Sequence, residues 1–555
     1  MKKSTRMILS ILIGTALTML SYYLVLPPLN VQNEGFWLFV LLVTCFYGVP
    51  LGLSKMTPEE KGKKKAKGTN TPDVKLHKAF WIVVAVPVAV LILGGVVSST
   101  FFNAQSYASV IEVKEADFAT DMPETNTVTN ISLMDTSSAI MIGNRALDQL
   151  SDVVSQYQLS DDYNQINYHG TPKKVSNLEY VDFFRWINNS GVGVPGYVMV
   201  DPVANEAEYI KFDQPLRYVE SAYFDEDLMR KLRFSYPTKI FGSVNFEIDE
   251  AGDPWYIVSC MKPKVALFGA ADVNEVIIFN PCDGSSEIYG ADETPAWVDN
   301  VYDGYLASEK YDWHGTLSGG FWNSVIGNKD CKRTTDDFGY IVIEDDVWYF
   351  TGVTSVTSDE SNIGFMISNA RTGEYKYYAV GGAEEYSAMN AAQGKVQEKG
   401  YTASFPSLIN VAGRPTYIMV LKDNSGMVQL YALVDMQKFS LIATGESQTD
   451  AKKAYLAILT REGLIKESET PESEIKVQTV TVTDVRLATV GGESVIYLNT
   501  VDADGASVVY KRTLSEDETM MLITVGQTLD ITYVETDHAA IREIKAWKLT
   551  DVPAE

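Results

Sequence analysis

Three long apolar runs open the chain, Met7 to Leu26, Phe36 to Leu53 and Ala79 to Val97. Each is about as long as a helix needs to cross a hydrocarbon layer ~30 Å thick. The first run is too long for the apolar core of a signal peptide, and no A-x-A site closes it, so it reads as retained. Beyond residue 103 the long runs give way to short alternating segments separated by Gly-, Asp- and Asn-rich turns, the pattern of half-buried strands and hairpins.

Those segments repeat. Thr416 to Leu421 alternates as a strand, Asp423-Asn424-Ser425-Gly426 turns the chain, Met427 to Asp435 returns, and Ser440 to Ala443 adds a short strand. Ser447 then caps a helix with Ala451, Ala454, Tyr455, Ile458 and Leu459 on one face. The same order recurs over Val244 to Tyr302, with a short helix from Thr294 through Val298, and over Tyr340 to Val396, with a helix around Glu384 to Lys395. It recurs again over Pro195 to Leu232, with a helix from Ser221, and a degenerate copy over Val128 to Tyr157 ends in the helix Ser138 to Tyr157. The segments Asn167 to Thr171 and Asp312 to Thr316 both end in His-Gly-Thr and predict two equivalent turns, at His169 and His314.

From Glu467 the chain becomes Ser, Thr, Pro and Glu rich, as a linker does, and Lys476 to Leu549 then carries five strand-like segments. The expected organisation is multi-domain: a membrane anchor over 1–102 with three transmembrane helices and a basic cytoplasmic loop over 54–78, then a leading α+β domain over 103–190. Tandem antiparallel hairpin-plus-helix units follow over 191–335 and 336–466, a linker over 467–475, and a small all-β barrel over 476–555.

The hairpin-plus-helix units resemble PepSY modules, with the D-x-x-T-G-E turn present as Asn369-Ala370-Arg371-Thr372-Gly373-Glu374. The stretches Gly364 to Gln397 and Phe405 to Asp423 are also similar to an uncharacterised family of bacterial membrane-anchored proteins. What the PepSY resemblance implies is a binding role, in the inhibition or regulation of envelope proteases and sensor kinases. The last five strands, with Val525 to Asp530 before the fourth, resemble an OB-type barrel.

Charge adds a direction. Lys2, Lys3 and Arg6 precede the first run, and Lys55, Lys61, Lys63, Lys64, Lys65, Lys67, Lys75 and Lys78 fill the segment before the third, so both flanks are expected in the cytoplasm. Everything after about residue 103 is then extracytoplasmic, in the plasma membrane of a cell with an envelope. The whole chain carries 46 Lys and Arg against 72 Asp and Glu, a net charge of −26. Setting aside residues 1–102 leaves 35 basic against 68 acidic side chains, a net charge of about −33. That surface repels nucleic acid, and the barrel lacks the cationic groove and stacking aromatics of a nucleic-acid binder.

No cluster dictates a reaction. Gly191 to Gly196 matches G-x-G-x-x-G, but a strand follows it where the dinucleotide fold requires a helix. The tetrads Ser259 to Lys262 and Ser473 to Lys476 sit on a strand and in the linker rather than at a helix start. Four His and four Cys make a poor zinc chain. Cys260 and Cys282 lie on successive predicted strands and either pair or remain free, with an odd thiol left over. Acid-rich turns at Asp249, Asp345, Asp423 and Asp502 offer oxygens to calcium but lack the EF-hand spacing. Trp348, Tyr349, Tyr375, Tyr377 and Tyr378 either pack across strands or form an interaction face.

The function expected is therefore non-enzymatic. It is a membrane-anchored extracytoplasmic binding protein, a scaffold or regulator of an envelope enzyme or sensor, with the bilayer and a protein partner or a second copy as its contacts. The alternative is an envelope hydrolase or carbohydrate-binding protein acting on wall polymers.

Overall fold

The computed structural model describes residues 3–54, 78–125, 133–148, 150–335, 337–343, 346–465, 476–490, 493–502, 505–514, 517–535 and 541–550. The chain forms two units, the first from residues 1–124 and 130–442, the second from 125–129 and 443–555.

The apolar runs are helices, Lys3–Val25, Glu34–Ser54 and Lys78–Ser98. Two of them, over Ile8–Val25 and Trp81–Ser98, are long and apolar enough to cross a membrane, and the described side chains of the other give the shorter apolar stretch Glu34–Tyr47. Leu12, Met19, Leu24, Trp81, Ile82 and Leu93 all face outward, so these are not core helices of the folded unit. The first two pack antiparallel where Gly14 admits the Tyr47 ring: a Cβ on Gly14 would lie 2.7 Å from it. Thr15 Oγ1 and Tyr47 Oη share a hydrogen bond of 2.9 Å at the same level.

The helix ends are held by the folded unit. Arg233, on the helix Leu228–Ser235, donates from Nε to the Leu26 carbonyl at 2.9 Å and from Nη1 to the Lys239 carbonyl at 2.6 Å. Leu29 N–H donates to the Pro237 carbonyl at 2.7 Å, and the Arg230 guanidinium lies 4.3 Å from the centre of the Tyr23 ring. At the end of the third helix, Ser98 Oγ accepts the N–H groups of Leu267 and Phe268 at 3.1 and 2.9 Å.

Among the described residues four sheets follow in the first unit, antiparallel except for one edge pair. Sheet I comprises Tyr157–Leu159, Asn164–Tyr168, Thr171–Tyr180, Val194–Asp201 and Glu206–Leu216. Sheet II is a meander of Ile240–Ile248, Pro254–Val265, Gly269–Phe279 and Ser286–Gly290. Sheet III holds Asp346–Ser355, Ser358–Asn369 and Tyr375–Tyr378, flanked by Gly339–Ile343 and Lys332–Thr334, with Val113–Ala116 added in parallel at the other edge. In sheet IV, Thr402–Ala403 and Ser407–Val411 flank Arg414–Lys422, which pairs with Val428–Asp435.

Hairpin turns carry a shared device. Asp249, Asp423 and Asp502 each accept a backbone N–H further round the turn through Oδ1, while Gly252, Gly426 and Gly505 supply the positive φ that closes it. Sheets I and II share one core, with Tyr197, Phe212, Phe246, Tyr256, Val258 and Phe279 among its residues. Sheet III is buried on both faces: Trp348, Phe350, Phe365 and Tyr378 enter a core shared with sheet IV, whereas Tyr349, Met366, Tyr375 and Tyr377 enter one formed with Ala307 and Tyr311 of the helix Gly304–Leu317. Period-two alternation alone sends neighbouring residues into different cores.

The structure alters several expectations. Thr294 to Val298 is a turn, and the helix lies further on at Gly304–Leu317. His169 and Gly170 do form a hairpin turn with positive φ, but His314 lies inside that helix, so the two His-Gly-Thr segments are not equivalent. The helix expected over Ser138 to Tyr157 is Thr136–Asp148, a break, then Ser151–Val154. The boundary expected at residue 190 falls within sheet I.

In the second unit the helix Gln448–Arg461 precedes a closed barrel of Lys476–Val490, Glu493–Asp502, Ser507–Thr513, Thr528–Glu535 and Ile541–Leu549. The strand order is first, second, third, fifth, fourth and back to the first. Leu498, Leu529, Ile531 and Ile544 fill the barrel beside Tyr510, whose hydroxyl donates to Gln478 Oε1 at 3.0 Å.

Candidate functional site

Thr171–Tyr180 places two adjacent lysines on opposite faces of sheet I. Lys173 points outward and pairs with Asp201 at 2.5 Å. Lys174 points inward, is 2% exposed, and lines a cavity of about 360 Å³. Among the described residues its Nζ has no hydrogen bond or ion pair; its recorded neighbour is the Tyr340 ring, with the centroid 5.2 Å away. Burial pulls its pKa down to about 8, against an upward pull from Asp135.

The carboxylate of Asp135 is committed elsewhere. Its Oδ1 caps the helix Thr136–Asp148 by accepting Ser138 N–H at 2.8 Å, and its Oδ2 accepts Lys422 Nζ at 2.6 Å. Although burial pushes its pKa up, the hydrogen bonds from Lys422 and Ser138 hold it below the usual carboxylate value. Asp337, also on the wall, accepts Phe338 N–H at 2.8 Å and the Tyr386 hydroxyl at 3.3 Å. Phe338, Tyr340 and Phe405 supply aromatic wall, and Ser137 and Ser407 line it as well. The cavity is thus bounded by sheet I, the Gly339–Ile343 edge of sheet III, the approach to Ser407–Val411 and the start of one helix. It can hold an anion beside an apolar group; it does not assemble a nucleophile with a base.

A second polar centre joins three sheets. Glu247 of sheet II is fully buried and accepts three donors: Asp299 N–H at 2.9 Å, Asn300 N–H at 2.8 Å and Asn300 Nδ2 at 2.9 Å. Asn300 Nδ2 also donates to the Gln165 carbonyl of sheet I at 2.9 Å, and the Tyr349 hydroxyl of sheet III donates to Asn300 Oδ1 at 3.4 Å. Asp299 Oδ2 accepts one N–H, from Asn167, at 2.7 Å. Burial pushes Glu247 up to about 7, its hydrogen bonds opposing, and drives Asp299 well up with the Glu247 charge adding to it. Three donors on Glu247 against one on Asp299 favour the charge on Glu247 and the proton on Asp299. Glu385, at the start of the helix Glu385–Lys395, is likewise buried, accepts Gly352 N–H at 2.6 Å, and is pushed by burial up to about 7.

The residues singled out from sequence fare unevenly. Trp348, Tyr349, Tyr375, Tyr377 and Tyr378 are all buried, because both faces of sheet III are covered, and they form no interaction face. Cys260 and Cys282 are free thiols. Tyr256 pairs with Phe279 across sheet II, so Cys260 lies four residues along the strand from that level while Cys282 lies beyond the other end. That offset is more than about 13 Å, against the ~7 Å limit for a disulfide. Asp249 and Asp423 spend oxygens on their own turns, and Asp346 pairs with Arg371 at 2.7 Å. Among the described residues no group of three or more His, Cys, Asp or Glu is placed to hold a metal.

Lys2, Lys55, Lys61, Lys63, Lys64, Lys65 and Lys67 lie outside the described residues, and Lys3 and Arg6 are described only as helix backbone. Sequence reasoning missed Lys174, Glu247, Asp299 and Asn300. The only signal was an apolar-flanked Lys pair in a strand otherwise polar enough to face solvent.

No family model, curated protein or solved structure matches the chain.

Proposed function

We propose that this chain is a membrane-anchored extracytoplasmic binding protein, a scaffold or regulator of an envelope enzyme or sensor that works through protein contacts. The observation that carries the reading is the placement of the helix ends. Leu26, Leu29 and Ser98 are hydrogen-bonded to the folded unit. The antiparallel packing of the first two helices sends the Lys3 and Ser54 ends away from it, and the Lys78 end of the third is remote from it too. The lysine-rich 55–77 segment joins those remote ends, and basic flanks stay in the cytoplasm.

On this reading Glu34–Ser54 is a third span, and the folded units stand outside the cell on a three-helix anchor. The succession of antiparallel sheets and helices supports the PepSY-like comparison, and the closed barrel with its strand order supports the OB-like one. Both argue for binding rather than catalysis by analogy of architecture.

The test is labelling of intact cells with a membrane-impermeant maleimide, using a cysteine-free background that carries either Ser507→Cys or Lys64→Cys. The reading expects labelling of the first and protection of the second until the cells are lysed. The reverse pattern refutes it. Purification from the native membrane in mild detergent, with mass measurement of the intact assembly, then reports the partner or second copy.

A further inference from the structure

The cavity at Lys174 has a chemistry of its own, and we propose that it is a binding site for a small monocarboxylate with an apolar body, the carboxylate meeting the Lys174 ammonium. The inference rests on the cavity alone and not on which side of a membrane the unit lies.

A charged amine removed from water is costly unless it is paired, and buried lysines in folded proteins answer to a counter-charge or give up their proton. Lys174 is 2% exposed and has neither hydrogen bond nor ion pair among the described residues. The acid acting on it, Asp135, is already engaged by Lys422 Nζ at 2.6 Å and by Ser138 N–H at 2.8 Å. Lys173, its neighbour in sequence, is paired with Asp201 on the other face. The wall therefore presents a cation without an ion pair, and the other acid on it, Asp337, is engaged by Phe338 N–H and the Tyr386 hydroxyl and is not among the charges acting on Lys174. Burial lowers its pKa to about 8, as it does for an amine with no counter-charge against it.

Size and lining select the anion. About 360 Å³ lies at the small end of ligand cavities and admits a carboxylate with a ring or a branched chain. Phe338, Tyr340 and Phe405 offer apolar surface to that body, while Ser137 and Ser407 place hydroxyl-bearing side chains on the wall. A dianion such as phosphate finds one cation and the nearby Asp337 carboxylate, a poor match. The net charge of −26 repels anions at a distance, but screening confines that field to about 8 Å in physiological salt, so the local ammonium decides binding.

The test uses the full-length protein in detergent. Lys174 is pulse-acetylated with acetic anhydride at pH 8 and its reactivity, relative to exposed lysines of the same chain, is read by peptide mass spectrometry, with acetate, isovalerate, benzoate, phenylacetate, inorganic phosphate, benzyl alcohol or benzyltrimethylammonium present at 10 mM. At least one of isovalerate, benzoate and phenylacetate is expected to slow acetylation of Lys174 tenfold or more and to raise Tm, with acetate and phosphate far weaker. The Lys174→Met variant, of similar length and without the charge, is expected to lose the Tm rise. Failure of all three larger carboxylates to protect Lys174 overturns the proposal. Equal protection by benzyl alcohol, by benzyltrimethylammonium or by phosphate, or an unchanged Tm rise in Lys174→Met, overturns it as well. The acetylation measurement is made on the unaltered chain, so it decides the matter even if Lys174→Met does not fold.

Discussion

Replacing Asp299 by Asn and Glu247 by Gln should have opposite consequences, although both exchanges are isosteric and both remove a buried carboxyl. In the folded chain the pair keeps a proton that the unfolded chain releases near pH 4. The folded state then binds more protons than the unfolded one, so stability falls as pH rises. The contribution is whole below the unfolded pKa and is lost as pH climbs through the folded one. One proton corresponds to a slope of ~1.4 kcal/mol per pH unit. Both carboxyls sit above the ordinary carboxylate value, so the loss begins near pH 4 and continues into neutral pH.

Asp299→Asn keeps an oxygen for Asn167 N–H and removes the Asp299 titration, leaving only that of Glu247. It should therefore cost little at pH 5 and become more stable than the unaltered chain at pH 8. Glu247→Gln turns an amide NH2 toward donors that now meet two oxygens, and leaves at least one buried N–H without an acceptor, at a cost of about 1–3 kcal/mol at every pH. Thermal unfolding of the full-length chain followed by circular dichroism between pH 4 and 9 gives both comparisons. If Asp299→Asn retains the slope of the unaltered chain, or is the more damaging of the two, the assignment of the proton to Asp299 is wrong.

Three further outcomes follow from the geometry. Asp435 is fully buried and takes both Arg414 Nε at 2.7 Å and Nη2 at 3.0 Å, so Arg414→Met should leave that carboxylate without its cation, Lys438 N–H still donating to it at 2.7 Å, and destabilise the first unit by about 3 kcal/mol, read from urea unfolding. Arg233→Ala frees the Leu26 and Lys239 carbonyls and should speed chymotrypsin cleavage at Leu29 about tenfold, the effect of losing ~1–3 kcal/mol of local hydrogen bonding. All four cysteines should react with maleimide in the unfolded, unreduced chain; a count of two would mean that Cys260 and Cys282 had paired.

What the sequence made legible is what local chemistry decides. The Asp-x-x-Gly turns, the alternating strands beside them, the Ser447 cap and the five-strand barrel are each set by residues within a few positions of one another. What it hid depends on docking between distant segments. Thr171–Tyr180 reads as polar, yet Lys174, Ser176 and Asn177 are buried because other segments close over both faces of the strand there. His314 reads as a turn residue from its His-Gly-Thr context, but Asp303 caps a helix ahead of it by accepting Leu306 N–H at 2.9 Å. The aromatics of Tyr375–Tyr378 alternate as an exposed face would, and nothing local reveals that a helix covers one side and sheet IV the other.

The parallel strand Val113–Ala116 has a mechanical consequence. It is the first strand after the helix Lys78–Ser98, reached through the short helix Thr100–Ala108, whose Tyr107 stacks edge-on with Trp313 at 5.2 Å. Its register with Tyr375–Tyr378 runs in the same direction over four residues. A pull transmitted along the chain from the apolar helices therefore loads that ladder in shear, all bonds together, rather than unzipping it from one end. Tension on the apolar helices is delivered to an edge strand of the largest sheet, so the first unit answers to force together with those helices and not as a bead on a string.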